Sequence, residues 1–273
     1  MVSEVLEVSS DWLAVRETED AAARSTALAD AAASLLRPGP VTVHDLGSGT
    51  GSMARWLAPR LPGPQTWVLH DWNADLAAQA AALGVPRDRE GRAVTLRSSV
   101  EPLDELTAAD LSGASLVTAS ALLDVLTAEE AHAIVDACVA SRTPTLLSLS
   151  VTGEVALRPR HALDRRVADA FNAHQRREVD GRRLLGPYAG RIVEGLFRLS
   201  GWNVRQALTT WRLSDRDPRL LAEWFEGWIA AAEEQDPRLA REAAPYRRLR
   251  RAQAARGGLS AVVYHLDLLA WPR

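Results

Sequence analysis

The chain contains no lysine: all 32 of its Lys and Arg residues are arginine. That absence excludes a Schiff-base lysine and the lysine of a phosphate-binding P-loop. Cysteine is nearly absent as well. Cys138 stands alone, so no internal disulfide can form, and a reducing cytoplasm is the expected setting. Its alanine-rich helical surroundings make it a packing residue. No apolar run approaches the ~20 residues needed to span a membrane. The start, Met1 to Asp11, is acidic and lacks the basic and apolar regions of a secretory signal. No second His or Cys stands at ligand spacing from His174, so no metal is expected. A net charge of −3 argues against a general nucleic-acid binder.

The 273 residues, 47% of them hydrophobic, suit one large domain or one domain with an insertion. The most informative stretch is Val43-His44-Asp45-Leu46-Gly47-Ser48-Gly49-Thr50-Gly51. An apolar run from Val41 to Leu46 ends in a glycine-dense turn, and a helix-like segment, Ser52 to Leu61, follows. Glycine brings backbone N–H groups close to a ligand because it has no Cβ and tolerates positive φ. The spacing is Gly-x-Gly-x-Gly rather than the dinucleotide Gly-x-Gly-x-x-Gly. A second acid, Asp71, lies about twenty residues further on, after a strand-like run from Thr66 to His70, where an acid can hold ribose hydroxyls.

These residues resemble a class I S-adenosylmethionine (SAM)-dependent methyltransferase. Asp45 to Gly51 matches that family's first motif, and Asp71 its ribose-binding acid. The resemblance implies a SAM site in which Gly47, Ser48, Gly49 and Gly51 pass under the cofactor and Asp45 meets its amino group. Asp71 would bind the ribose, and Trp72 would cover one adenine face. Ser99 and Val100 occupy the adenine-contact region, although the family often carries an acid there. Ala119 ends the strand before the methyl-transfer site, which Ser120 and Asp124 would line. Arg16, Asp20 and Arg24 fall at i, i+4 and i+8 of the first helix. They form either an intrahelical ion-pair ladder or, as the resemblance implies, a lid in which Arg16 or Arg24 meets the carboxylate of SAM.

Strands alternating with helices argue for an α/β, doubly wound, mostly parallel sheet. The resemblance implies seven strands in it. The expected layout has an N-terminal helical lid over 1–40 and a SAM-binding core over 41–152. The rest of the sheet, over 153–273, carries helical substrate-covering insertions at 158–200 and 214–258. One first helix should run to about Leu36. Strand three should span about Ala93 to Arg97, a short helix Glu101 to Leu106, and strand five Thr145 to Val151. Thr127 with Glu130 forms a capping box, Asn73 caps a helix, and Asp217-Pro218 starts another. Leu220, Trp224 and Trp228 make an apolar stripe that must be buried, either as a roof over the substrate or in a homodimer.

Three residues are candidates for catalysis. Asp124 can accept a proton if burial raises its pKa, His174 suits general-base work, and Asn172 lies on the same helix. His265 and Asp267 share one face of the last strand, where His265 reads as structural. The arginine cluster Arg247 to Arg251 lies among acids and reads as a mixed-charge helix surface. The function expected is methyl transfer to a small molecule, with S-adenosylhomocysteine (SAH) as the product. An RNA methyltransferase and a SAM-binding protein without turnover are the alternatives.

Overall fold

The computed structural model describes residues 8–84, 87–101, 103, 106–179 and 181–273. Two helices come first, α1 (Ser10–Ala23) and α2 (Thr26–Leu35), followed by β1 (Val41–Leu46) and α3 (Ser52–Leu57). Then come β2 (Gln65–His70), α4 (Ala74–Ala82), β3 (Thr95–Ser99), β4 (Leu116–Ser120), α5 (Ala128–Ser141) and β5 (Thr145–Arg158). The remainder is α6 (Asp164–His174), a two-stranded ribbon of β6 (Glu178–Val179) and β7 (Arg182–Arg183), α7 (Ala189–Leu199), β8 (Asn203–Leu213), α8 (Pro218–Gln235), α9 (Ala240–Ala255) and β9 (Ser260–Trp271).

The main sheet has seven strands in the order β3-β2-β1-β4-β5-β9-β8. The first five are parallel, and β9 runs antiparallel to both β5 and β8. Consecutive residues point to opposite faces, and β5 shows it: Leu147 joins the core under α5 and α7, while Leu146 joins the core under α2 and α3. A third core unites α6, α8 and α9 with the ends of β5, β8 and the start of β9.

Local signals form as their chemistry requires. Thr127 and Glu130 complete a reciprocal capping box, Asn73 accepts from Asp75 and Leu76 N–H, and Asp217 caps α8 with Pro218 in its first turn. The single first helix is instead two. Ser25 caps α2 by accepting the Leu28 N–H, and the extended Arg24 breaks the chain between them. Strand three starts two residues later than expected, because Thr66 pairs with Thr95. Strand five is longer than expected, since two bulges let it follow β9 as far as Arg158. The helix expected over 101–106 falls partly outside the described residues.

Residues 158–200 do not act as one covering unit. α7 buries Val193 and Phe197 in the core beside α5, so it covers a sheet face. Only α6 joins the helical layer at the sheet end. β8 runs parallel to β5, and its last residue, Leu213, pairs with Ala261. The α8–α9 excursion therefore leaves from the carboxyl end of the sheet, the same end as the glycine turn. Trp228 is buried within the chain's own third core, and Trp224 stacks on it with ring centroids 5.5 Å apart. The stripe thus finds its cover without a second subunit.

Candidate active site

The glycine turn leaves β1 with Gly47 at φ +61° and Gly49 at φ +53°, conformations that side chains resist. A side chain there would also crowd the tips of two leucines. A Cβ on Gly47 would lie 2.8 Å from Leu122 Cδ1, and one on Gly49 3.1 Å from Leu13 Cδ1. The Ser48 N–H donates to the His70 carbonyl at 3.0 Å, and Gly51 N–H closes the turn on Ser48 O at 2.8 Å. Asp71 ties the turn to β2. Its Oδ2 accepts the Gly49 N–H at 2.7 Å and its Oδ1 the Asn73 N–H at 3.0 Å. Burial raises the Asp71 pKa, opposed by those two N–H groups. A carboxylate has about four lone-pair sites, so two remain for a ligand.

Asp45 lies on the face of the sheet that α2 and α3 cover. Its Oδ1 accepts the Thr118 hydroxyl at 2.6 Å, while Oδ2 is buried without a partner. Burial pushes its pKa up to about 7, against Thr118 and the nearby Arg24 charge. Arg24 is the C-cap of α1 and is buried. Its Nη2 donates to Ser120 Oγ and to Ser52 Oγ, both at 3.0 Å, and its Nη1 has no partner. Burial lowers its pKa, and Asp20, Asp45 and Asp267 oppose that. Ser48 Oγ is the next unpartnered buried atom.

Asp124 occupies the turn Leu123–Val125 after β4 and Ser120. Its Oδ1 is buried and unpartnered, and burial pushes its pKa up to about 6, with Arg16 opposing. Arg16 in turn grips Asp20 through Nε at 2.9 Å and Nη2 at 3.2 Å, and lies 4.9 Å over the Trp211 ring. Trp211 Nε1 donates to Asp20 at 3.0 Å, so the i, i+4 pair is also an anchor between α1 and β8. Glu17 adds a bidentate pair to Arg55 of α3 at 2.6–2.7 Å.

The structure thus brings together Arg24, Asp45, Gly47, Ser48, Gly49, Gly51 and Asp71, with Ala119 buried at the end of β4 beside Ser120. Trp72 and Val100 sit just past the carboxyl ends of β2 and β3, 39% and 49% exposed. Ser99 donates to Glu101 at 3.4 Å. Glu101 is therefore an acid in the region that seemed to lack one, displaced by two residues. Thr118 and Ser52 went unnoticed in the sequence. Thr118 matters because the parallel register sets it opposite Asp45, which no local pattern reports.

His174 is not in this cluster. Its Nε2 donates to Glu234 at 3.2 Å and its Nδ1 accepts from Arg177 Nη1 at 3.0 Å. Burial and then Arg177 lower its pKa, with Glu234 opposing. With both nitrogens engaged between α6 and α8, it has no lone pair for a substrate. Asn172 donates to the Gly153 carbonyl at 2.8 Å, and its Oδ1 is unpartnered. Among the described residues no three His, Cys, Asp or Glu side chains could hold a metal ion, and no helix is long and apolar enough to cross a membrane.

A candidate type II methyltransferase from Anaeromyxobacter dehalogenans superposes with a TM-score of 0.52 at 16% identity, covering 92% of this chain and 98% of that one. The fold is that of the class I, Rossmann-like methyltransferases. A SAM-dependent methyltransferase from Geobacter sulfurreducens, solved with SAH, gives a TM-score of 0.45 at 17% identity, covering 98% of this chain and 100% of that one. A cyclopropane synthase from Mycobacterium tuberculosis gives 0.44 at 14% identity, covering 88% and 83%. At these identities the likeness is one of fold. No protein-family model and no curated protein matches the sequence.

Proposed function

We propose that this chain is a SAM-dependent methyltransferase acting on a small molecule. The observation that carries the reading is a set of buried polar atoms left without partners around the glycine turn: Arg24 Nη1, Asp45 Oδ2 and Ser48 Oγ. An unpaired buried polar atom costs about 1–3 kcal/mol, so such a set marks a place built for a polar ligand. The methionine end of SAM has the complementary groups. Arg24 suits its carboxylate and Asp45 its ammonium, while Asp71 retains lone pairs for the ribose hydroxyls.

SAM supplies a methyl group on a sulfonium, so in-line attack by an acceptor atom forms the new bond to carbon while the C–S electron pair returns to sulfur and leaves SAH. The protein's share is to position the acceptor, exclude water and take a proton. Asp124 suits the last task. It lies just beyond Ser120, its Oδ1 is free, and a pKa of about 6 keeps it ionised yet basic near neutrality. The helical layer of α6, α8 and α9 at the same sheet end excludes water.

The RNA reading is weakened by the arginine cluster itself. Arg247 pairs with Glu233 at 2.6 Å, and Arg251 pairs with Glu226 at 2.7 Å, so these charges face acids within the chain. Calorimetry with SAH tests the cofactor. Asp71→Ala should weaken binding by about 1–3 kcal/mol, the loss of charged hydrogen bonds. Unchanged affinity, or tighter binding of NAD or ATP than of SAM, would refute the assignment. Transfer of labelled methyl from SAM into a metabolite extract, with and without RNase, separates the small-molecule reading from the RNA reading and from binding without turnover.

A further inference from the structure

On the face of the sheet opposite Asp45, two histidines touch. His44 of β1 and His70 of β2 are both buried, and His44 Nδ1 lies 2.9 Å from His70 Nε2. The rings stack with centroids 5.1 Å apart and planes 27° apart. The parallel register sets His44 opposite Val68 and Leu46 opposite His70, so the contact runs diagonally between the two strands. Burial lowers both pKa values, that of His44 to about 4 with His70 assisting, and the Asp110 charge opposes the shift at both rings. Near neutrality both rings are therefore neutral, and one donates the proton that the other accepts.

Packing does not call for such a pair. Leu46, Val117 and Ala119 on the same face are apolar and buried. Replacing both members of a buried hydrogen bond by apolar groups of similar shape is nearly neutral for stability. What two imidazoles add is a contact of fixed length and direction, since hydrophobic attraction is non-directional. Their place gives that geometry a use. His44 immediately precedes Asp45, and His70 immediately precedes Asp71. The His70 carbonyl accepts the Ser48 N–H at 3.0 Å, and Asp71 Oδ2 accepts the Gly49 N–H at 2.7 Å. His70 thus holds β1 through its ring and the glycine turn through its backbone, and the next residue holds the turn through its carboxylate.

We infer that His44 and His70 are positioning residues of the cofactor site. Their bond fixes how the carboxyl end of β2 stands against that of β1, and so where Asp71 presents its remaining lone pairs to the ribose. Both act through Asp71 and the turn rather than by touching the ligand. This rests on the methyltransferase reading of the same turn.

The test is calorimetry of SAH binding to the full chain, with urea unfolding of each variant alongside. His44→Leu alone strands His70 Nε2 and should lower both stability and affinity. His44→Leu combined with His70→Leu removes both polar groups, so stability should return toward that of the unsubstituted protein. SAH should still bind about ten-fold more weakly, the effect of one lost hydrogen bond. In an Asp71→Ala background the same two substitutions should weaken SAH binding by no more than about two-fold further, because the pair acts through that carboxylate. Two single variants decide the matter if the double variant does not fold. His44→Asn places an amide near the Nδ1 position and should retain SAH affinity, whereas His44→Gln, equally polar, reaches past it and should not. Affinity that returns together with stability in the double leucine variant would overturn the inference. So would a full ten-fold loss in the Asp71→Ala background, or equal SAH affinities of the Asn and Gln variants. These outcomes, with SAH bound by the unsubstituted protein, would overturn this inference alone. Failure of the unsubstituted protein to bind SAH would overturn the cofactor reading itself, and this inference with it.

Discussion

The carboxylate of Asp267 accepts the backbone N–H of Ser25 at 2.9 Å, joining the break between α1 and α2 to the interior of the sheet. The same carboxylate accepts the Leu149 N–H at 2.8 Å and the Thr209 hydroxyl at 3.1 Å. Leu149 is fully buried at φ +59°, in the left-handed region that a leucine enters only under constraint. Asp267 thus holds a strained bulge, an edge strand and the joint between α1 and α2 at once. Asp267→Asn keeps one acceptor oxygen but turns an N–H toward one of these donors. We expect a loss of about 1–3 kcal/mol in urea unfolding, with faster hydrogen exchange in α1. Unchanged exchange in α1 would show that this helix is anchored elsewhere.

Cofactor binding should depend on pH through Asp45. Its folded pKa of about 7 lies above the ordinary carboxylate value, chiefly because it is buried. In the free protein its ionisation therefore costs stability, a contribution present below pH 4 and lost as pH rises through 7. A cation bound beside it favours the ionised form. SAM affinity should thus fall as pH drops below 7, by up to ten-fold per pH unit, and binding near pH 6 should release a proton. Calorimetry in buffers of different ionisation enthalpy measures that release. Asp45→Asn should abolish it, and a release that persists in this variant would assign the proton to another group.

Asp124 and His174 should behave oppositely. The rate should fall as pH drops below about 6, where the raised Asp124 pKa protonates the base. Asp124→Asn should lower kcat by about 10²-fold or more and remove that acid limb, with SAH affinity retained. His174→Asn should leave kcat within a few-fold, because the ring is bound to Glu234 and Arg177 and faces no free acceptor. A large kcat loss confined to the His174 variant would reverse the assignment.

The helical layer depends on a buried charge. Arg250 is fully buried, paired with Asp164, and donates to the Pro159 carbonyl at 2.7 Å and to Gln253 at 2.9 Å. Tyr246 donates to the same Asp164 at 2.7 Å. Arg250→Ala strands the carboxylate and should cost about 3–5 kcal/mol in chemical unfolding. Asp164→Ala in the same background should add only the loss of its remaining hydrogen bonds, about 1 kcal/mol for the Tyr246 bond, because the pair is already broken. Additive losses in the double variant would mean that the two residues act separately.

Much of the fold was legible in the sequence because its signals are local. The Asp45-to-Gly51 turn, the Thr127–Glu130 box and the Asn73 and Asp217 caps each involve groups within a few residues of one another. Backbone geometry there follows from the neighbours alone, and the structure follows them. The Arg16–Asp20 pair was legible too, since helical spacing sets it, whereas Arg24 lies beyond the end of α1. What those side chains meet was not. Arg24 reaches Ser120 of β4, Asp20 reaches Trp211 of β8, and His174 is spent on Glu234 of α8. Each partner arrives through the order of strands in the sheet. Alternation along a strand says which way a side chain points, never what stands opposite. The sequence by itself determined the glycine turn, its two acids and the alternating strands and helices. Only the tertiary structure decided that the first helix breaks at Arg24 and that His174 is engaged. It also decided that Asp45 Oδ2, Arg24 Nη1 and Ser48 Oγ are buried without partners, because the elements that cover them come from separate parts of the chain.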